Sequence, residues 1–169
     1  MTIKQQGVFL VKTCASLLVI FVITSCGFSL RGDYVMSSQL QTLFVSSTDT
    51  HSELTRVLKQ QLTLNKVQVV KNFSTEIPEI RLLKDTLDRR TLSVFTNGQV
   101  AEYELIYTVR YELRINDRET QAFTFEINRD YQDDPDNALA KSRELTLMLS
   151  EMRQQAAVSI VRNIASLQP

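Results

Sequence analysis

The sequence contains few of the residue types from which catalytic and metal sites are built. Its 169 residues include two cysteines, one histidine and only four glycines. So few glycines leave no glycine-rich loop of the kind that cradles phosphates, and one imidazole cannot form a histidine-based metal site. The histidine, His51, falls in the first turn of a predicted helix, where a solvated capping role is expected instead of catalysis. We therefore expect no enzyme activity, no catalytic residues and no metal site.

An excess of charge of one sign is also missing. The chain has 19 basic and 19 acidic residues, which gives a formal net charge of zero at pH 7, and it has no long basic run. Proteins that bind nucleic acid concentrate lysine and arginine where they meet the phosphate backbone. We therefore expect no nucleic-acid partner.

Long apolar runs are scarce as well, and the one that stands out lies near the amino terminus. Lys4 and Lys12 precede an uncharged apolar stretch over residues 15–23. A basic start, an apolar core of about 7–15 residues and small residues at its exit are typical of a secretory signal peptide. A membrane-spanning helix needs about 20 apolar residues, more than Lys12 and the polar segment beginning at Arg31 leave between them. We predict that residues 1–25 are removed.

The residues that end this leader predict a lipid anchor. They are Ile23, Thr24, Ser25 and Cys26. An aliphatic residue, two small residues and a cysteine resemble the lipobox of bacterial lipoproteins, which implies a diacylglycerol and an N-acyl chain on Cys26. Two or more acyl chains anchor a protein stably, whereas one holds it only marginally. Gly27 stands where lipoproteins retained at the inner membrane typically carry aspartate, so the resemblance implies the outer membrane.

The mature chain would be a single domain without a free thiol. Removal of the leader leaves residues 26–169, enough for one hydrophobic core and too few for two domains. Lys4, Lys12 and Cys14 leave with the leader, so 17 basic and 19 acidic residues give a net charge of −2. Because lipid consumes Cys26, no thiol remains for a disulfide, a metal site or a nucleophile.

The first half of the mature chain predicts a strand, a helix and a second strand. Residues 43–45 form the first strand candidate, and the second lies within residues 67–70. Between them, Thr50 and Glu53 have the spacing of a capping box, and Asn65 is placed to close the helix in a left-handed conformation. The apolar residues at helical spacing are Leu54, Val57, Leu58 and Leu62.

The second half predicts antiparallel strands followed by a long helix. The leucines of residues 79–95 change face partway, which predicts either a bulge or two separate strands. Asn97 and Gly98 indicate a two-residue hairpin turn, and residues 101–115 then alternate cleanly between apolar and polar. A turn at 116–117 and further alternation over 123–127 continue the sheet, whose polar face is wet.

The last element predicts a helix of some eight turns. Asp134 is placed as its cap and Pro135 as its first residue. Its apolar stripe consists of Leu145, Met148, Leu149, Met152, Ala156, Ile160, Ile164 and Leu167. The order of elements predicts an α+β domain in which two helices pack on one face of a small antiparallel or mixed sheet.

Three segments of the mature chain resemble one known family. Residues 26–31 (CGFSLR), residues 93–99 (SVFTNGQ) with 101–103 (AEY), and residues 136–141 (DNALAK) resemble, in order and with compatible spacing, motifs of the LPS-assembly lipoprotein LptE family. The resemblance covers almost the whole mature chain. The fold of that family, a small sheet with two helices on one face, agrees with the periodicity above.

The resemblance implies a function in lipopolysaccharide transport. Members of the family plug the lumen of the LptD β-barrel in a one-to-one complex, assist barrel folding, bind lipopolysaccharide and help deliver it to the outer leaflet. It implies Lys141 as a cation for lipid A phosphates, because this lysine matches one in the helix-entry motif. The position of Thr96 can be basic in the family, and Arg89 and Arg90 are possible substitutes here.

The hairpin supplies the candidates for contact with the barrel, which are Phe95, Asn97 and Gly98. Because the strand changes face before Phe95, the sequence is consistent both with an exposed Phe95 that contacts a partner and with a Phe95 packed in the core. Two other functions also remain open from the residues. One is a pilot or binding lipoprotein of another envelope assembly machine, and the other is a lipid-anchored hydrolase.

The anchor can be tested directly. We expect protein isolated from membranes to begin at Cys26 and to carry the mass of a diacylglycerol and an acyl chain, measured by intact-mass spectrometry. Cys26→Ala should release the protein from the membrane fraction with an unchanged melting temperature, since the anchor lies outside the core. An unmodified chain that begins elsewhere would exclude the lipoprotein.

Overall fold

The computed structural model describes residues 36–49, 51–116 and 118–167. The predicted leader, Cys26 and Thr50 lie outside the described residues, so the predictions made for them stay predictions. The described part is a five-stranded mixed sheet with two helices, which confirms the predicted α+β class.

The helices and strands follow one another in the predicted order. They are β1 (Thr42–Ser47), α1 (Glu53–Leu64), β2 (Gln68–Val70), β3 (Glu79–Val94), β4 (Val100–Arg114), β5 (Gln121–Gln132) and α2 (Ala138–Ser166). α2 begins three residues later than predicted, because Asp134 caps a 3-10 turn over Pro135–Asn137 that precedes it. The strands are ordered β2-β1-β3-β4-β5 across the sheet. β1 is parallel to both of its neighbours, β2 and β3. α1 carries the chain back from the end of β1 to the start of β2, and β2 therefore runs in the same direction as β1. β4 is antiparallel to its neighbours β3 and β5.

One hydrophobic core joins both helices to one face of the sheet. The predicted stripe of α1 is buried, and the core side of α2 is formed by Met152, Ala156, Ala157, Ile160, Val161 and Ile164. Leu145, Met148 and Leu149, in the first half of α2, are only partly buried against that core. Among the described residues, no helix is long and apolar enough to cross a bilayer.

Both ends of α1 differ from the prediction by one or two residues. Ser52, not Thr50, is the N-cap, because the turn in which Asp49 accepts from the backbone N–H of His51 at 2.9 Å brings Ser52 to the helix entry. Ser52 Oγ accepts from Thr55 N at 3.4 Å, and Glu53 bonds Arg56 instead of closing a capping box. At the other end Lys66, with φ 62°, takes the left-handed conformation predicted for Asn65.

The sequence predicts either one bulged strand or two strands over residues 79–95, and the structure has one strand with a bulge. β3 is continuous from Glu79 to Val94, and its pairing with β4 shifts register between Leu82 and Lys84, which leaves Leu83 as the extra residue. The pairing of β3 with β4 shifts register twice more near the hairpin, once between Thr91 and Ser93 and once between Ser93 and Val94. A bulge reverses the faces to which the following side chains point, and this explains the change of face in the sequence.

The hairpin turn lies where the sequence places it but has three residues instead of two. Phe95 N donates to Gln99 O at 2.7 Å and Gly98 N donates to Phe95 O at 2.9 Å, so the loop is 96–98. Only Gly98, with φ 83°, is left-handed, and Asn97 is not. This is the three-residue hairpin in which a left-handed glycine follows a type I turn. Asn97 instead contributes its side-chain oxygen, which accepts from Gln99 N at 3.0 Å.

Gly98 should therefore be the sensitive position of the hairpin. A Cβ there would meet no atom within 4 Å, so a substitution costs backbone strain alone. We expect Gly98→Val to lower stability by about 1–2 kcal/mol and Gly98→Asn to lower it less, because asparagine tolerates the left-handed region. Thermal unfolding measures both, and equal melting temperatures for Gly98→Val and wild type would contradict the assigned turn.

Two buried tyrosines on the helix side of β4, Tyr107 and Tyr111, differ in their hydroxyl partners. Tyr107 donates to Asp85 Oδ2 at 2.6 Å. Burial, and then this bond, raise the pKa of Tyr107, while Arg153 of α2 offsets part of the rise. Burial raises the pKa of Tyr111 to about 12, and its hydroxyl has no hydrogen-bond partner among the described residues. Both side chains are therefore neutral at physiological pH.

Removal of the Tyr107 hydroxyl and removal of the Tyr111 hydroxyl should have different effects on the free energy of unfolding. Tyr107→Phe leaves the Asp85 carboxylate without its donor, and we expect a loss of about 1–2 kcal/mol of unfolding free energy. Tyr111→Phe removes a buried polar atom without a partner, so stability should stay equal or rise. Denaturant unfolding distinguishes the two, and similar losses in both variants would show that Tyr111 has a partner in solution.

Candidate functional site

The alternation of β4 divides the candidate site between two faces of the sheet. Apart from Ile106, the apolar side chains of residues 103–113 point to the helices, and the charged and threonine side chains point away from them. We call the second surface the open face. Its residues are Glu79, Arg81, Lys84, Thr86, Asp88, Arg90 and Ser93 of β3, Glu102, Glu104, Ile106, Thr108, Arg110, Glu112 and Arg114 of β4, and Ala122, Thr124, Glu126, Asn128, Asp130 and Gln132 of β5.

Two of the three cations predicted from the sequence lie together on the helix side. Tyr103 and Tyr131 are opposite each other on β4 and β5. The guanidinium of Arg89 lies 6.0 Å from the ring centroid of Tyr103, and Lys141 Nζ lies 5.0 Å from that of Tyr131. The hydroxyl of Tyr131 also donates to the carbonyl of Lys141 at 3.1 Å, which ties α2 to β5. Arg89 and Lys141 therefore flank one tyrosine pair.

The charge of Lys141 is partly neutralised within the chain. Its Nζ is 2.8 Å from a carboxylate oxygen of Glu144, and this bond is the first cause that raises the pKa of Lys141. The adjoining pocket, of about 420 Å³, is lined by Leu92, Glu102, Asp130, Tyr131, Gln132, Lys141 and Glu144. Glu102, Asp130 and Glu144 all line this pocket, and Glu144 is paired with Lys141, so an anion that reaches Lys141 must compete with Glu144.

Arg90 lies on the other side of the sheet from Arg89, because successive residues of a strand point to opposite faces. Its guanidinium pairs with the carboxylate of Glu104, which is opposite it on the open face. The structure thus brings Arg89 and Lys141 together and separates Arg90 from both. Their role in binding lipopolysaccharide stays a prediction.

The tip of the β3–β4 hairpin carries exposed apolar side chains. Leu92, Val94 and Phe95 are 47%, 58% and 45% exposed, so Phe95 takes the exposed position of the two left open by the sequence. Asn97 and Gly98 are exposed in the turn beside it. Leu92 and Val94 are not among the contact residues predicted from the sequence, although the change of face upstream indicates that side chains here depart from the directions of a regular strand.

The end of the open face opposite the hairpin is held by Arg114. It lies 3.5 Å from Glu79, donates to the carbonyls of Thr75 and Ile77 at 2.9 and 3.1 Å, and its guanidinium lies 5.0 Å from the ring of Phe73. The loop between β2 and β3 is therefore fastened to β4. Among the described residues, no group of three or more histidine, cysteine, aspartate or glutamate side chains is arranged to hold a metal ion.

Comparison with known protein families and curated proteins gives a consistent match. A family model described as LptE, lipopolysaccharide-assembly, matches residues 40–164. The LPS-assembly lipoprotein LptE of Pectobacterium atrosepticum is 34% identical over 151 residues, which cover 89% of this chain and 82% of that protein. The protein of the same description from Yersinia enterocolitica is 35% identical over 148 residues, or 87% of this chain and 72% of that protein.

Solved structures agree with these matches. The rare lipoprotein B of Shewanella oneidensis aligns with a TM-score of 0.69 and 48% sequence identity, covering 74% of this chain and 94% of that chain. Lipoprotein B of Nitrosomonas europaea, at 21% identity and a TM-score of 0.66, shares the fold. Because the family model spans most of the described residues and the curated relatives extend over most of their own length, this chain belongs to the LptE family of lipopolysaccharide-assembly lipoproteins.

Proposed function

We propose that this protein is an outer-membrane lipoprotein, anchored through acylated Cys26, that fills the lumen of the LptD β-barrel and binds lipopolysaccharide on its way to the outer leaflet. Membership of the LptE family supports the general role in lipopolysaccharide assembly. The family description also supports a non-enzymatic role.

The observation that carries the proposal is the polarity of the open face. Three long strands of 12 to 16 residues turn charged and hydroxyl side chains to the same side, while the helices cover the opposite side. A surface of this kind is suited to a hydrated space enclosed by another protein, because it offers hydrogen-bonding groups over its whole length. It has no extended apolar patch that would be stabilised by burial against a partner. The water-filled interior of a large barrel has this character.

The hairpin tip supports contact with the barrel in a different way. Leu92, Val94 and Phe95 are exposed apolar side chains at the end of the β3–β4 hairpin. Exposed apolar groups that cluster on a polar surface mark sites of protein contact, and aromatic anchors contribute most to such contacts. We infer that the tip binds the barrel wall or one of its loops.

Co-purification tests this function. Tagged full-length protein, extracted from membranes in mild detergent, should bring down LptD and lipopolysaccharide. Phe95→Ser should reduce the yield of LptD strongly, because loss of a buried aromatic anchor costs about 2 kcal/mol or more. Leu147→Ser is the matched control, since Leu147 is 61% exposed on the outer surface of α2, and its LptD yield should equal that of wild type.

The outcomes separate the alternatives. Equal LptD yields from wild type and Phe95→Ser, with both proteins folded, would exclude the tip as a contact. If wild type captured components of another envelope machine and no LptD, the protein would be a pilot lipoprotein instead. Retention of LptD without lipopolysaccharide would leave the plug role and reject the binding of the glycolipid.

A further inference from the structure

The centre of the open face holds two cations directly opposite each other on neighbouring strands. Lys84 of β3 is paired in register with Arg110 of β4. This pairing is a product of the bulge at Leu83, because a regular strand would place Leu83 opposite Arg110. Like charges that face each other across two strands destabilise a sheet, so the pair costs stability in the isolated protein.

Neither cation is compensated within the described residues. Arg90 and Arg114, towards the two ends of the open face, pair with Glu104 and Glu79. By contrast, no carboxylate oxygen of the described residues lies within 4.0 Å of Lys84 or Arg110, although Glu112 and Glu126 belong to the same face. Both side chains are exposed. The centre of the face therefore presents two positive charges that form no ion pair within the described residues.

Hydroxyl groups surround this pair. Thr86 and Thr108 face each other in the adjoining row of the sheet, and Thr124 of β5 is opposite Arg110. Thr108 Oγ1 makes one long contact of 3.5 Å with Glu126, whereas the hydroxyls of Thr86 and Thr124 have no hydrogen-bond partner among the described residues. A guanidinium, an ammonium and several hydroxyls form a donor set that suits the three free oxygens of a phosphoryl group.

Four of the seven acidic residues of the open face lie towards the hairpin. They are Asp88, Glu102, Glu104 and Asp130, and Arg90 is the one cation among them. The tip half therefore repels phosphates, whereas Lys84 and Arg110 attract them, although Glu112 and Glu126 lie on the same face. Acidic side chains of a partner protein would be attracted as well, but a carboxylate has two oxygens and would leave more of these donors unused.

We propose that Lys84 and Arg110, together with the hydroxyls of Thr86, Thr108 and Thr124, bind a phosphoryl group of lipopolysaccharide on the open face. The inference rests on the lipopolysaccharide binding proposed above and places a phosphoryl site there, on the opposite side of the sheet from Arg89 and Lys141. The ligand's negative charge relieves the repulsion between the two cations, which accounts for a pairing that otherwise only costs stability.

The test compares two double variants of the full-length protein in detergent. Lys84→Gln with Arg110→Gln removes the two cations. Lys59→Gln with Arg118→Gln removes one lysine and one arginine from exposed positions on α1 and in the β4–β5 turn, and is the charge-matched control. The probes are lipopolysaccharide, phosphatase-treated lipopolysaccharide and inorganic pyrophosphate as a competitor. Melting temperatures and LptD co-purification are measured in parallel.

We expect wild type and the control to prefer lipopolysaccharide over its phosphatase-treated form, and pyrophosphate to compete. The Lys84→Gln, Arg110→Gln variant should bind lipopolysaccharide about tenfold more weakly, equivalent to about 1.4 kcal/mol, should lose that preference, and should respond less to added salt. Its melting temperature should equal or exceed that of wild type, because the repulsion is gone.

Three results would overturn the proposal. In the first, wild type binds lipopolysaccharide and the double variant binds it equally well, which leaves the proposed function intact. In the second, the variant keeps its phosphate preference but loses LptD, which would assign the pair to the partner protein. In the third, wild type fails to bind lipopolysaccharide, so that the proposed function fails as well. Direct binding of pyrophosphate to wild type in that third case would identify a site for free phosphates.

Discussion

The arrangement of both faces of the sheet depends on the extra residue in β3. Up to the bulge, Ile80 and Leu82 point to the helices and are buried. If Leu83 were paired regularly, without the bulge, it would lie opposite Arg110, and Lys84 would take the next helix-facing position, opposite Val109. An ammonium group buried there without a partner would cost several kcal/mol. The bulge turns Lys84 to the open face and gives its place to Asp85, whose carboxylate is satisfied by the Tyr107 hydroxyl.

The placement of Asp85 on the helix side of β3 also connects the sheet to α2. Tyr107 is 1% exposed in the centre of the core, and its hydroxyl lies between Asp85 and Arg153 of α2, both of which affect its pKa. A polar contact inside an apolar core fixes the position of a helix more narrowly than apolar packing alone, because only one placement satisfies its donors and acceptors. The second half of α2 is held in this way. Its first half packs partly against the core through Leu145, Met148 and Leu149, and its polar contacts are Tyr131 with Lys141 and Arg129 with Glu151.

The sequence predicted those parts of the fold in which a local pattern has one physical solution. Residues 101–115 alternate with period two, and burying the apolar set leaves only one assignment of faces. The Asn97-Gly98 pair marked the hairpin correctly, but its length depends on whether Phe95 pairs with Gln99, which is a property of two strands together. The start of α1 was misplaced because Thr50 and Ser52 are both good caps, and the turn at Asp49 selects Ser52.

The functional residues were harder to predict because the availability of a charge depends on its neighbours in space. The sequence marks Lys141, Arg89 and Arg90 by motif and by proximity along the chain, yet Glu144 and Glu104 neutralise two of them. Lys84 and Arg110 have no motif and are 26 positions apart, and only the register set by Leu83 makes them neighbours. A pair of like charges directly opposite each other is unfavourable for folding, and the phosphoryl binding proposed above would offset this repulsion.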